Sequence, residues 1–387
     1  MIYLSPMIRG SELAFRMLCR QNGNAQLCYS PMLRDHDVIE VASNPSNFET
    51  KELKIDSAGR FNSAEESAYL INESTKEDVQ NLIVQLCGSQ PDKLAKATTS
   101  ILDIYSNNVG ILPVGIDLNL GCPQKCAERE GFGAYLVEKN DQMAVECLKC
   151  MRKAIDAYAK QHDCKAPILS AKIRLLDSDV ENTVQFIKRL KPYIDLIAIH
   201  CRTRKEKHDG KADWEAGKQI VEDLANDENS LPVVLNGGVT SYKDAQTVLQ
   251  MTQCHAVMVA NGYLCNHRKF NSISSGSRPQ DLALEYLDFA QKYPPPSYLY
   301  IQLHLRWIFR DTLQPKDKDF NPQDYSDYRV RLWTFLVRPY LRSIAQYRLF
   351  VALFVKLSGG EKEDQPKSIR HLVDDVTYRA VKKAKLN

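Results

Sequence analysis

The feature that most constrains the fold of this chain is a series of eight short apolar runs, each followed by a longer stretch of helical periodicity. Strands that are covered by helices on both faces of a parallel sheet are apolar along their whole length. Eight repeats of strand and helix are typical of a closed barrel, which commonly takes roughly 250 residues. We therefore predict an α/β fold, a TIM (β/α)8 barrel, with strands at 2–6, 25–30, 82–87, 114–120, 168–175, 195–201, 231–237 and 255–261.

The segments between these runs carry signals for helix ends. Ser11 is expected to cap a helix that stops at Gly23, and Ser241 to cap a later one, because a serine oxygen accepts a hydrogen bond from the first helical turn. Pro91 lies early in the first turn of another predicted helix, where proline is tolerated. Residues 34–81 are long and polar for a single connection, and we predict a helix and a lengthened, partly mobile loop there.

The strand pattern ends near residue 275. Two helices are predicted next, separated by the prolines at 294–296, and a helical pattern continues through Pro339. We therefore predict three parts. Residues 1–275 form the barrel, with 34–81 as an extended loop region; residues 276–357 form a C-terminal α-helical domain; residues 358–387 form a basic, loosely ordered tail.

Charge is distributed unevenly along the chain. Residues 297–387 contain 17 Lys and Arg against 10 Asp and Glu, a local balance of +7, which leaves −4 for residues 1–296. A basic C-terminal region on a slightly acidic body predicts a polyanionic partner held by that region. A solvated helical surface is the alternative explanation of the same charges.

The cysteines and the apolar pattern indicate a compartment. The chain has 11 cysteines, an odd number, and we find neither a secretory signal nor an apolar stretch of spanning length. These features predict free thiols in a reducing compartment, the cytoplasm or the nucleus, and no association with a membrane.

Two cysteine pairs raise the question of a metal. Cys122 and Cys126 have CxxxC spacing, and Cys147 and Cys150 have CxxC spacing within a helical pattern. A four-cysteine zinc site needs both pairs in tight turns. Because one pair lies mid-helix, we predict no metal site.

Candidate functional residues lie at the ends of the predicted strands, since the carboxyl ends of barrel strands line the active site. Glycines after the last two strands favour a phosphate site, with tight turns that need positive φ as the alternative explanation. Lys172 and His200, expected at matching heights on adjacent strands, could hold a flavin ring, or be a buried ion-paired lysine and a core histidine. The candidates are Pro6, Met7, Gln85, Asn119, Cys122, Lys172, Arg174, His200, Arg202, Asn236, Gly237, Gly238, Asn261 and Gly262.

Cys122 lies in the most informative stretch, DLNLGCPQKCAEREGFGAYL at 117–136. From the residues alone four roles are open for its thiol: metal ligand, redox thiol, small buried apolar group, or acid that gives up one proton. Its position after the fourth strand favours a role at the mouth of the barrel.

In combination these stretches resemble the tRNA-dihydrouridine synthase family, FMN-dependent barrel enzymes that reduce uridines in the tRNA D-loop. The matching motifs occur in family order across 2–275, and LALEYLDFAQKYPPPSYLYIQLHLRW resembles the start of the family's helical RNA-binding domain. The barrel motifs are SPMIRGSELAFRMLCR, AQLCYSPML, LIVQLCGSQPDKLAKA, DLNLGCPQKCAEREGFGAYL, AKIRL, IHCRTRKEKHDGKADW and LPVVLNGGVTSYKDAQTVL.

The resemblance implies roles for the candidate residues. Cys122 would be the general acid, and Asn119, Arg174 and Arg202 would face the flipped uridine and its backbone. The chain would be a monomer that takes electrons from NADPH and binds the D-loop of tRNA. The residues implied to surround FMN are Pro6, Met7, Gln85, Lys172, His200, Asn236, Gly237, Gly238, Asn261 and Gly262.

The resemblance also implies the reaction. A hydride from reduced FMN would add to C6 of the uracil, and Cys122 would protonate C5. The motifs favour the eukaryotic class acting at tRNA positions 16 and 17, with the class acting at 20a and 20b as the alternative. An FMN barrel reductase of a small pyrimidine and a nonenzymatic tRNA-binding barrel are the other hypotheses.

Two positions depart from the family pattern. Asn266 and His267 stand where the family has an Asn-Pro pair, and Asn261 stands where many relatives carry Arg or Glu. The 34–81 insertion is also longer than expected, and it bears on RNA contact or is specific to a lineage.

Overall fold

The structure is a computed structural model of the 387-residue chain. It describes residues 1–44, 63–207, 209–225, 230–271, 277–314, 328–337 and 341–359. The central part of the predicted 34–81 loop and the predicted tail from residue 360 onward lie outside the described residues.

Within the described residues, eight parallel strands close into a barrel, as predicted. The first strand pairs with both the second and the last, which completes the ring. A further strand of only two residues, Leu33–Arg34, pairs with the end of the strand Leu82–Cys87, where Leu33 lies opposite Leu86. The strands are β1 Ile2–Leu4, β2 Leu27–Tyr29, β3 Leu33–Arg34, β4 Leu82–Cys87, β5 Gly115–Asn119, β6 Ile168–Leu175, β7 Leu196–Thr203, β8 Val233–Asn236 and β9 Ala256–Val259; β3 is the additional strand.

Helices surround the barrel and follow it. Those up to residue 190 are α1 Leu13–Gly23, α2 Asp35–Ser43, α3 Ser63–Asn72, α4 Lys76–Val79, α5 Pro91–Val109, α6 Lys125–Glu130, α7 Ala134–Gln161 and α8 Val180–Leu190. The later ones are α9 Trp214–Ala225, α10 Tyr242–Thr252, α11 Asn261–Asn266, a 3-10 helix His267–Phe270, α12 Pro279–Lys292, α13 Tyr298–Leu313, α14 Tyr328–Val337 and α15 Ile344–Ser358. Within the described ranges, no helix is both long enough and apolar enough to cross a bilayer.

The strands are largely apolar because both of their faces are covered. On β4, Ile83 belongs to the cluster that fills the barrel, whereas Val84 belongs to the outer core between barrel and helices. Every residue of β4 is buried. Alternation of side chains across the strands thus builds two largely apolar layers, and most of the polar groups lie toward the carboxyl ends of the strands.

The helix-end signals were partly right. Ser241 accepts a hydrogen bond from the Asp244 amide, and Pro91 begins α5, as predicted. The capping role predicted for Ser11 is wrong, because Glu12 is the N-cap of α1. The Ser11 hydroxyl instead bonds the amide and carbonyl of Met7 and stabilises the turn after β1.

The 34–81 region contains more structure than one helix and a loop. Its described residues form β3, α2, α3 and α4. On α4, Asp78 is fully buried and pairs with two arginines of α1: its Oδ2 lies 2.6 Å from Arg16 Nη2, and its Oδ1 lies 2.6 Å from Arg20 Nη1. The described part of the insertion is therefore built into the core beside the first barrel helix.

The helical part after the barrel follows the predicted pattern. The break at 294–296 falls between α12 and α13. The interior Pro339 lies outside the described residues, and helix is described on either side of it in α14 and α15. The predicted boundary near 275 also falls outside the described residues.

A buried polar contact joins this helical part to the barrel. Glu12 of α1 accepts a hydrogen bond from the Tyr286 hydroxyl at 3.0 Å. Its carboxylate also lies 3.1 Å from His304 Nε2, and Glu12 and His304 are both fully buried. Because buried charged groups require such partners, this contact fixes where α12 and α13 lie against α1.

Glu73 lies next to this contact, and its carboxyl group should make the free energy of unfolding depend on pH. Burial raises its pKa to about 8, although Arg16 opposes the shift and its Oε1 accepts from the Leu13 amide. An acid whose folded pKa is raised stabilises the fold below its unfolded pKa, and this stability is lost as pH rises through about 8. We expect Glu73→Gln to gain thermal stability over the wild type progressively from pH 5 to pH 8, measured by calorimetry. The exposed Glu77→Gln is the control, and an equal response of both variants would contradict the assignment.

Candidate active site

All fourteen candidate residues line one cavity of about 890 Å³ at the carboxyl ends of the barrel strands. The structure therefore brings the residues chosen at the strand ends together around one cavity. The cavity also contains side chains that the sequence did not single out, among them Ile8, Met32 and Trp307.

The strand register corrects the expectation that Lys172 and His200 lie at matching heights. Lys172 is paired with Ala198, and His200 is paired with Arg174. The two side chains are therefore offset by two residues along their strands. Both still face the cavity, because residues two apart on a strand point to the same face.

A chain of hydrogen bonds crosses the barrel beneath the cavity. The Asp117 carboxylate accepts from Gln85 Nε2 at 2.8 Å and from the Ser170 hydroxyl at 2.6 Å. Gln85 Oε1 in turn accepts from Asn119 Nδ2 at 2.9 Å. Burial raises the pKa of Asp117 to about 6. This chain fixes the orientation of the Asn119 side chain.

Asn119 in turn shapes the loop that carries Cys122. Its Oδ1 accepts hydrogen bonds from the amides of Gly121 at 3.2 Å and Cys122 at 3.0 Å. Gly133, at φ +65°, packs so closely that a Cβ there would lie 2.9 Å from the Cys122 carbonyl oxygen. The loop over the cavity is therefore held from both sides.

The Cys122 thiol is half-buried and lines the cavity. Burial raises its pKa above the ordinary value for a cysteine, and the nearby Cys126 adds to the increase. The group therefore stays protonated at neutral pH. A protonated thiol is suited to donating a proton, and it is a poor nucleophile or metal ligand.

Arg174 connects two loops at the mouth of the barrel. Its Nε donates to the Gly121 carbonyl at 2.8 Å, and its Nη1 donates to the carbonyls of Thr203 at 3.1 Å and Lys207 at 2.7 Å. Burial lowers its pKa to about 10. Arg174 thus ties the Cys122 loop to the loop that follows β7.

His200 and Arg202 form a second fixed pair. Arg202 Nη1 lies 3.1 Å from His200 Nε2, and its Nη2 donates to the Gly210 carbonyl at 2.9 Å. Since an arginine guanidinium only donates hydrogen bonds, His200 Nε2 is the acceptor in this contact.

Lys172 is the cation nearest the floor of the cavity. Burial lowers its pKa to about 8, and Arg174 lowers it further, whereas Asp117 acts in the opposite direction. Its ammonium group makes no hydrogen bond to another described residue. A half-buried cation of this kind is well placed to hold an anionic or electron-rich group bound in the cavity.

The glycine pair after β8 forms the tight turn that was one of the two alternatives, and this turn lies at the cavity. Gly237 and Gly238 have φ values of +114° and +74°, so they do form a turn that favours glycine. They also line the cavity, and a Cβ on Gly237 would lie 2.9 Å from His200 Cδ2. Trp214 Nε1 donates to the Gly237 carbonyl at 2.9 Å and fixes the turn.

With this geometry established, comparison with known sequences decides the family. The family model described as Dihydrouridine synthase (Dus) matches residues 3–293. This chain belongs to the dihydrouridine synthase family.

Its relatives share limited identity with it. The rat tRNA-dihydrouridine(16/17) synthase [NAD(P)(+)]-like protein is 31% identical over 314 residues, covering 80% of this chain and 60% of the relative. The human tRNA-dihydrouridine(20a/20b) synthase [NAD(P)+]-like protein is 28% identical over 315 residues, covering 81% and 83%. A solved old yellow enzyme homologue from Zymomonas mobilis overlaps 76% of this chain and 95% of its own, at 14% identity and a TM-score of 0.44. The chain thus spans about 60% of the length of the first of these relatives.

Two residues of this dihydrouridine synthase site escaped the sequence reasoning. Asp117 carries a charge inside an otherwise apolar strand, and that irregularity was a usable signal for a polar group in the barrel. Trp307 lies on α13, outside the barrel, and the rule that examines strand ends cannot find it.

Proposed function

We propose that this protein is a tRNA-dihydrouridine synthase, which reduces a uridine of the tRNA D-loop to 5,6-dihydrouridine with FMN as cofactor and NADPH as electron donor. The observation that carries the proposal is that Cys122, Lys172 and the Gly237–Gly238 turn line one cavity. The names of the rat and human relatives support the substrate and the electron donor.

The residues of the cavity fit FMN. Among the described residues, the half-buried Lys172 ammonium group has no hydrogen-bond partner, so it is available to a bound group. The backbone at Gly237 and Gly238 carries no side chains, so a phosphate can approach it closely. We assign the hold on the cofactor to Pro6, Met7, Gln85, Lys172, His200, Asn236, Gly237, Gly238, Asn261 and Gly262. When bound and reduced, FMN supplies the hydride that C6 of the uracil requires.

The chain itself supplies the proton for C5 of the uracil. Cys122 is the general acid, because its raised pKa keeps the thiol protonated until a base forms beside it. Asn119 and Arg174 hold the Cys122 loop in place, and with Arg202 they face the uridine and its backbone. Saturation of C5 and C6 makes the ring nonplanar, so the uridine must leave its stack and enter the cavity to react.

The basic helical domain, residues 276–357, is assigned to the tRNA backbone, with an affinity that falls as salt rises. We place the protein in the cytoplasm or the nucleus as a monomer. Positions 16 and 17 are the favoured targets, as in the name of the rat relative. Positions 20a and 20b are the second candidate, since this chain covers 83% of the human relative of that class.

The test is to map dihydrouridine in tRNA from cells that lack the gene, and to repeat the reaction with purified protein. Loss of dihydrouridine at positions 16 and 17, restored by the protein with NADPH, is the expected result. Loss at 20a and 20b would select the second class. Unchanged D-loops would overturn the proposal, and NADPH oxidation that is faster with a free pyrimidine than with unmodified tRNA would favour a small-molecule reductase.

Gly237→Ala should weaken flavin binding. At φ +114° a side chain is strained, and the new Cβ would lie 2.9 Å from His200 Cδ2, so His200 must move. Strain of this kind costs about 1–3 kcal/mol, which corresponds to a fall in FMN affinity of about 5–150-fold. Gly110→Ala is the matched control, because Gly110 has φ +77° at the end of α5, away from the cavity. Flavin titration measures both, and equal losses would show that strain alone explains the effect.

A further inference from the structure

The helical domain reaches the cavity through an aromatic side chain. Trp307 of α13 is half-buried and lines the cavity beside Leu264 of α11. A Cβ built on Gly10 would lie 3.3 Å from Trp307 Cη2. The edge of the indole therefore lies against the bare backbone of the loop that follows β1.

The same loop presents Ile8 to the cavity. Ile8 is 51% exposed, more than the other large apolar side chains of the described residues. The next residue, Arg9, has φ +56°, a conformation that is uncommon outside glycine. Glu66 Oε1 holds it there by accepting from Arg9 Nε at 3.2 Å and from the Tyr300 hydroxyl at 2.6 Å. The loop is thus tied both to the 34–81 insertion and to α13.

Trp307 is supported from behind by a buried stack. The ring of His304, one turn earlier on α13, contacts the Trp307 ring edge-on with centroids 5.2 Å apart. His304 itself lies between Phe15 at 4.4 Å and Tyr286 at 4.2 Å. With its Nε2 beside the Glu12 carboxylate, the His304 ring is anchored, and it supports Trp307 from behind.

The cavity is chemically divided by this arrangement. Ile8, Leu264 and Trp307, which we name the apolar lip, lie on the side of β1 and β9. Four cations lie across the ring of strands from β1: Lys172 and Arg174 on β6, Arg202 on β7, and Lys125 after β5. Cys122 lies on that second side, so the reacting uridine must approach it there.

We propose that the apolar lip is a stacking platform for a nucleobase that flanks the reacting uridine in the RNA substrate. This inference rests on the proposed function. Bases of single-stranded RNA stack on aromatic side chains, and a fixed tryptophan beside two aliphatic groups supplies such a surface without hydrogen-bond readout of sequence. When the uridine enters the cavity it loses a stacked neighbour, and the lip replaces that contact for the base next to it.

The experiment measures Trp307→Ala against Trp307→Phe in the holoenzyme. The alanine variant should raise the KM for tRNA and the dissociation constant for RNA about ten-fold, and the phenylalanine variant should restore most of the loss, because stacking needs a ring rather than an indole. Flavin content and the rate of NADPH oxidation without RNA should stay unchanged. Trp333→Ala, on α14 and outside the cavity lining, controls for general damage to the helical domain.

Two abasic RNA hairpins, lacking the base on the 5′ or the 3′ side of the uridine, complete the test. On one of them the penalty of Trp307→Ala should disappear, since the base that it stacks on is gone. A penalty that persists on both, wild-type behaviour of the alanine variant, or loss of flavin from it would each overturn the inference. If the wild type forms no dihydrouridine but its RNA affinity still depends on Trp307 and on the flanking base, the proposed function fails and the platform stands.

Discussion

Replacing Cys122 by alanine should lower the rate of dihydrouridine formation by about 10²–10⁴-fold, the range typical of a lost general acid. The thiol lines the cavity, and its raised pKa keeps the proton available at neutral pH. Cys122→Ser should remain close to the alanine variant, because a hydroxyl gives up its proton far less readily than a thiol. The measurement is single-turnover formation of dihydrouridine on unmodified tRNA.

Binding must survive this substitution for the assignment to hold. Flavin absorbance and tRNA affinity of Cys122→Ala should match the wild type, since the Cys122 loop is held through backbone amides and carbonyls rather than through the thiol. Cys150→Ala is the matched control, because Cys150 is also half-buried but lies on α7 outside the cavity lining. A variant of Cys122 that loses flavin would make the residue structural instead.

The second large effect concerns stability. Asp78→Ala should reduce the free energy of unfolding by about 3–5 kcal/mol, because it leaves buried arginines without their counter-charge. Arg16 is fully buried, and both Arg16 and Arg20 lie 2.6 Å from the Asp78 carboxylate. These arginines hold the pKa of Asp78 below its usual range, so the wild type loses this contribution as pH falls.

Urea unfolding measures the loss, and a surface pair provides the comparison. Asp288 is exposed and lies 2.5 Å from Arg348, so Asp288→Ala should cost at most about 1 kcal/mol. A similar small loss for Asp78→Ala would show that the α4 segment is a dispensable addition. The expected large loss would make the insertion part of the core that holds α1.

The barrel was predictable because its signal is local and repeated. An apolar run such as 82–87 is buried on both faces, and eight such runs between helices are typical of a closed barrel. The contribution of residues 34–81 was not predictable, because α3 and α4 are polar in composition. They are stabilised by single long-range contacts such as Asp78 with Arg16, which have no periodic signature.

The sequence was enough to predict which residues line the cavity, but not how their side chains are placed relative to one another. Strand ends bring Lys172, His200 and Gly237 to one cavity whatever the register. Register itself depends on how strands shear against one another, so the two-residue offset between Lys172 and His200 needed coordinates. Trp307 could not be found, because its place depends on how a separate helical unit packs on the barrel.

The way in which Arg174 holds its two loops has a consequence for how sequences of this family can diverge. Its three acceptors are the main-chain carbonyls of Gly121, Thr203 and Lys207. A main-chain carbonyl is present whichever amino acid occupies the position. Mutation of those side chains therefore leaves the connection intact, and Lys207, at φ +54°, would even accept glycine without strain. If the proposed function holds, substitutions at these positions can change the contact with RNA while the loop that carries Cys122 keeps its place.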